Sequence, residues 1–240
     1  MICRQGLARI GGAVLLASHV AAGEHAAPEP SRGSNVIYPG ARPRAADVRR
    51  VEKELEDVTR LLGQARPPQV RLFLYQHAAD VAAATGVYAG GVTLPGLGQI
   101  HSTAYRLKHE LVHLVAMRLG GDPGPFFQEG LAVALGDGGR HNDGRRVDDV
   151  ARQVLRGRSI SQLIAGFGAA DPQEAYPLAG SFVRSLLQRH GNQRVVRFFA
   201  TASSGRSADV FQRVFGESLE SAGAQWRARL AGSRALEPAP

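Results

Sequence analysis

Residues 104–136 read AYRLKHELVHLVAMRLGGDPGPFFQEGLAVALG, and they decide how the rest of the chain is read. They contain His109-Glu110-Leu111-Val112-His113, an H-E-x-x-H pattern, and then Gln128-Glu129-Gly130-Leu131-Ala132. Two histidines four residues apart on a helix are offset by about 40° around the axis and about 6 Å along it. Both imidazoles can therefore reach one metal ion, with Glu110 beside them to act on a metal-activated water. Leu107, Leu111, Leu114 and Val115 mark one apolar face of this helix and Val112, Ala116 and Leu119 the other, so the helix reads as largely buried. Gly120-Gly121 ends it, and Asp122-Pro123-Gly124-Pro125 opens a second helix.

On the second helix Glu129 falls among Phe126, Ala132 and Val133, on an otherwise apolar face. A buried carboxylate without a partner is costly, and a divalent cation removes the cost. So short a turn allows the helices to pack antiparallel, which would bring Glu129 over His109 and His113. The expected result is a His₂Glu catalytic set for one Zn²⁺ per chain, its fourth position left for water. Glu110 is then the expected general base, and Tyr176, at the start of a downstream helix after Asp171-Pro172, is the candidate donor for the oxyanion. His101, Tyr105 and His141 are weaker candidates for substrate contacts.

Outward from this stretch the chain divides by texture. Residues 1–22 carry Arg4 and Arg9, an apolar run and small residues at the end, the pattern of a secretory signal; an Ala-rich tail is the competing reading. The apolar run is too short to span a membrane. Residues 23–44, rich in Pro, Ser and Gly, read as a linker. Residues 45–64 have helical spacing, with Val48, Val51, Leu55, Val58 and Leu62 on one stripe, and residues 70–75 alternate as a strand. Residues 77–85 suggest a short helix. Residues 87–89 and 99–102 suggest two short strands around a glycine-rich turn, a hairpin whose edge could accept an extended peptide. Helical patterns follow over residues 145–157, 160–164, 174–190, 193–202, 208–215 and 219–230, and residues 233–240 read as a loose tail.

The fold expectation is α+β. A small mixed sheet-and-helix part (residues 45–103) packs on the zinc helix pair (residues 104–136) and on a mostly helical part (residues 137–232), all in one domain.

Composition narrows the alternatives. The 240 residues are 44% hydrophobic and 21% charged, an ordinary globular mixture. The formal net charge is +8, but only Lys53 and Lys108 are lysines, and the arginines are interspersed with acids. Nucleic-acid binding is therefore not expected. Cys3 is the lone cysteine, so any metal site must use His, Asp or Glu.

With these residues in place, the chain resembles the gluzincin group of zinc metallopeptidases, and within it the bacterial peptidase-MA-like proteins. The likeness is carried by H-E-x-x-H, by the following E-G-L-A, by residues 175–183 (AYPLAGSFV), and by Phe215-Gly216-Glu217-Ser218-Leu219 running on to Trp226. It extends over residues 70–230. The resemblance implies a zincin-like fold and peptide-bond hydrolysis, with His109, His113 and Glu129 as ligands and Glu110 as base. The departures matter too. Ala116 and Leu119 stand where the metzincin pattern needs Gly and His. Gly90-Gly91-Val92-Thr93 supplies no acid to hold a free amino terminus. Val133 stands where thermolysin-like relatives carry an acid that supports the ligands, so the partners of the two histidines must come from elsewhere. The expectation is an exported, periplasmic or secreted zinc metallopeptidase acting on peptide or protein. The alternative is a non-catalytic scaffold of the same fold in the cell envelope. The sequence does not fix the oligomeric state.

Overall fold

The structure is a computed structural model and describes residues 31–232 except Arg106, Asn142 and Ser204. The candidate signal (residues 1–22) and the tail (residues 233–240) lie outside the described residues. In chain order the first elements are β1 (Ser31–Arg32), β2 (Val36–Tyr38), α1 (Ala45–Leu61), β3 (Val70–Leu74), α2 (Ala78–Thr85), β4 (Gly91–Leu94) and β5 (Gln99–Ser102). Then come α3 (Lys108–Ala116), α4 (Pro125–Leu131), a π-turn (Ala132–Gly136), α5 (Val147–Val154), α6 (Ile160–Ala165), α7 (Pro172–Thr201), α8 (Ser207–Phe215) and α9 (Leu219–Gly232). The protein is thus mixed α+β, with a small sheet and a predominance of helix.

The sheet runs β1-β2-β3-β5-β4. Its centre is parallel, β2 on β3 and β3 on β5, and its two outer pairs are antiparallel. A parallel pair needs a crossover. The 17-residue helix α1 provides it between β2 and β3, burying Val51, Leu55 and Val58. Opposite them lie the inward residues Val36, Tyr38, Val70, Leu72 and Ile100. The helix carrying the H-E-x-x-H residues, α3, packs beside α1 in the same layer and buries Leu111, Val112 and Val115.

Two expectations are corrected here. Residues 31–38 are not linker: they supply β1 and β2, and Val36 and Tyr38 are fully buried. Glu52 of α1 fixes this segment, accepting hydrogen bonds from the Asn35 and Val36 N–H groups at 2.9 and 2.8 Å and from the Ser34 hydroxyl at 3.1 Å. Burial alone would raise this carboxyl. The hydrogen bonds outweigh it and hold the group below its ordinary value. Three apolar residues among Pro, Gly and Ser gave too short a pattern to read as a strand. The second correction concerns the hairpin, whose first strand is Gly91–Leu94 rather than residues 87–89. Val92-Thr93-Leu94 pairs with β5, and one helical turn at Pro95–Leu97, closed by Gly98 at φ 61°, makes the reversal.

The remaining helices form a layer around a ring cluster that includes Phe126, Phe127, Phe182, Phe198, Phe211 and Trp226. The long helix α7 breaks at Gly191 (φ 77°, ψ 166°), where the sequence pattern stops and restarts. It crosses α4 closely. A Cβ on Gly130 would lie 2.7 Å from the Ala179 carbonyl oxygen, and one on Gly180 would lie 2.3 Å from Val133 Cγ1. Most of the buried apolar residues of both layers belong to one contiguous cluster running from Val36 to Leu230. No helix among the described residues is long and apolar enough to cross a membrane.

Candidate metal centre

Because α3 is pinned between sheet and helical layer, His109 and His113 leave it on one side, one turn apart. At its end Gly120 takes a left-handed conformation (φ 90°). The chain then turns back through Gly124 (φ 93°) into α4, whose first residue is Pro125. This reversal brings Glu129 against the histidines. His109 Nε2 and His113 Nε2 are 3.2 Å apart, and Glu129 Oε2 lies 3.4 Å from the first and 3.3 Å from the second. Ligands held about 2.0–2.1 Å from a tetrahedral zinc are separated by about 3.3 Å, so this triangle has the size such an ion requires. The three residues are close enough to bind a metal ion.

Electrostatics favours a positive charge among them. Burial alone would raise the Glu129 carboxyl, but the two imidazoles hold it well below the usual carboxylate range. Burial works against protonating His109, yet Asp137, Glu129 and Glu110 outweigh it and lift this imidazole to about 10. A proton on His109 or a cation held by all three groups answers the same demand.

Asp137 is the residue that sequence reasoning missed. Its Oδ2 lies 2.9 Å from His109 Nδ1, a bond that fixes the ring and turns Nε2 toward Glu129. It is eight residues beyond Glu129 rather than four. The π-turn at Ala132–Gly136 shifts the helical register, and a Cβ on Gly136 would lie only 2.5 Å from His109 Cα. This glycine contact lets the π-turn close on the start of α3, so the next residue reaches the imidazole. The run Gly136-Asp137-Gly138-Gly139 was the available signal, an acid embedded in glycines directly after the helical stretch that carries Glu129.

The centre opens into a cavity of about 810 Å³ lined by His109, Glu110, His113, Glu129, Asp137 and Tyr176 among others, within the range of ligand sites. Glu110 is held from the sheet by the Thr93 hydroxyl, 2.6 Å from Oε2. Tyr176 stands in the first turns of α7, its ring stacked on Phe167 at 5.8 Å and 9°. Of the weaker candidates only His141 lines the cavity, its Nδ1 3.1 Å from Asp143 Oδ1. His101 is buried in the sheet against Phe73, with Nδ1 2.8 Å from the Tyr75 hydroxyl. Tyr105 packs against the core.

One wall of the cavity is the sheet's edge strand, β4. The bond from Thr103 N–H to the Gly90 carbonyl sets the phase of the antiparallel ladder. Val92 and Leu94 then bond to β5, while the N–H and C=O groups of Gly91 and Thr93 turn away from it toward the open edge. Compared with protein-family models and with curated proteins, the chain matches none.

Proposed function

We propose that the chain is a zinc-dependent metallopeptidase with a zincin-like fold, of the H-E-x-x-H-plus-Glu kind its sequence resembles. The observation that carries the reading is the triangle of His109, His113 and Glu129 donor atoms, its edges 3.2–3.4 Å, with Glu110 beside it on the wall of one cavity. Two imidazoles and one carboxylate suit zinc rather than calcium or magnesium, which favour all-oxygen shells.

A zinc ion in this set would supply Lewis acidity toward a scissile carbonyl and acidify a water molecule. The chain's own groups do the rest. Glu110 accepts a proton from the attacking water and delivers it to the departing amine. Tyr176 offers a hydroxyl to the oxyanion from across the cavity. Gly91 and Thr93 present backbone N–H and C=O groups with which an extended peptide pairs as an added strand, which favours endopeptidase action on unstructured segments. Export follows from the pattern of residues 1–22, and N-terminal sequencing of the protein from cell fractions tests it.

The deciding experiment pairs metal analysis with digestion of an unbiased peptide library. One zinc per chain is expected, with cleavage that a chelator stops. Glu110→Gln should keep the metal and lose about 10²–10⁴-fold in kcat. Undiminished cleavage by that variant would sink the mechanism. A wild-type protein that binds zinc and peptide but never cleaves would favour the scaffold reading.

A further inference from the structure

A glutamate in a site must be aimed as well as present, and fixing its long side chain costs rotamer entropy. In this protein the edge strand does the aiming. Thr93 Oγ1 lies 2.6 Å from Glu110 Oε2 and 3.1 Å from the Glu110 carbonyl oxygen. A hydroxyl has one proton to donate, and the shorter bond to the carboxylate is the stronger. Two residues earlier on the same strand, a Cβ on Gly91 would lie 2.6 Å from Glu110 Oε1 and 3.1 Å from its carboxyl carbon. Alternation puts residues 91 and 93 on one face of β4. One carboxylate oxygen is therefore bonded by the third residue of the strand, while the other rests over the bare backbone of the first.

We propose that Thr93, with the space left by Gly91, is the positioning residue for Glu110, so that the strand that would align a peptide also aims the base. This rests on the metallopeptidase reading above. Gly91 and Thr93 are also the two residues whose backbone groups face the open edge, so base and peptide share one reference frame. The proposal separates Thr93 from a residue that merely ties β4 to α3, because a tie contributes stability without selecting one carboxylate orientation.

The test compares Thr93→Val, Thr93→Ser and Gly91→Ala in the zinc-loaded protein, with crystal structures of the wild type and Thr93→Val. Thr93→Val should lower kcat about 10- to 100-fold while KM stays within about twofold, the loss expected of a displaced but intact group. Thr93→Ser, which keeps the hydroxyl, should recover most of it. Gly91→Ala should resemble Thr93→Val, and all three should retain one zinc. In the Thr93→Val crystal the Glu110 carboxylate should have left its place on β4. The proposal is overturned by full kcat in Thr93→Val, by a serine variant no better than the valine one, or by a carboxylate that has not moved. Should the wild type cleave no peptide, the function reading fails, and the crystal structures still decide whether Thr93 holds Glu110.

Discussion

His109 carries two bonds with linked demands: Nε2 faces Glu129 and His113, and Nδ1 meets Asp137 at 2.9 Å. Removing Asp137 leaves the donor triangle complete but frees the ring to rotate. Asp137→Ala should therefore weaken zinc binding about 10- to 100-fold, read by competition with a chelator of known affinity. Unchanged affinity would show that Asp137 contributes nothing to the centre. The same bonds set a pH dependence. In the metal-free protein His109 is lifted from its ordinary 6.5 to about 10, so its pairing stabilises the fold fully below 6.5 and is lost as pH rises toward 10. Glu129 is shifted the other way, so its contribution is complete above its ordinary 4.5 and is lost only in acid. At pH 7 a metal ion must displace the His109 proton. Titration calorimetry in two buffers of different ionisation enthalpy should register about one proton released per zinc bound. A binding enthalpy independent of buffer would contradict this.

Elements meet here at glycines. Gly130, next to Glu129 of the candidate centre, allows α4 to cross α7 so closely that a Cβ would lie 2.7 Å from the Ala179 carbonyl oxygen. Alanine is the better helix former by about 0.8–1.0 kcal/mol, but overpacking against backbone costs about 1–3 kcal/mol. Gly130→Ala should accordingly lower the thermal midpoint, by several degrees if the backbone cannot yield; a raised midpoint would mean the crossing relaxes freely. The glycine of E-G-L-A was legible as part of a motif. Its reason, a helix crossing with α7 some fifty residues later, was not. The helices themselves were legible, since α1, α2, α3 and α5–α9 follow apolar spacing or clear Gly and Pro stops. The strands were harder. Val36–Tyr38 and Gly91–Leu94 are three and four residues long, and a two-residue period leaves almost no signal over that length.

Over the whole molecule, the centre lies where the sheet layer meets the helical layer. The edge strand and α3 supply one side, and α4, the π-turn and the start of α7 the other. His109, His113 and Glu129 could be picked out as one candidate metal-binding group, with Glu110 beside them, from the chain alone, because an i, i+4 pair is a property of one helix and Glu129 follows a turn too short to carry it elsewhere. The sequence by itself also set the mixed α+β class and the run of helices. Packing was needed to show that Asp137 holds His109, that Thr93 holds Glu110, and that residues 31–38 belong to the sheet. Each of these depends on a register between elements distant in the chain: a π-turn against α3, an edge strand against α3, and a short strand completed by Glu52. Local periodicity reports which face of an element is buried. It does not report which residue of another element will stand opposite, and that is where the supporting bonds of this site are made.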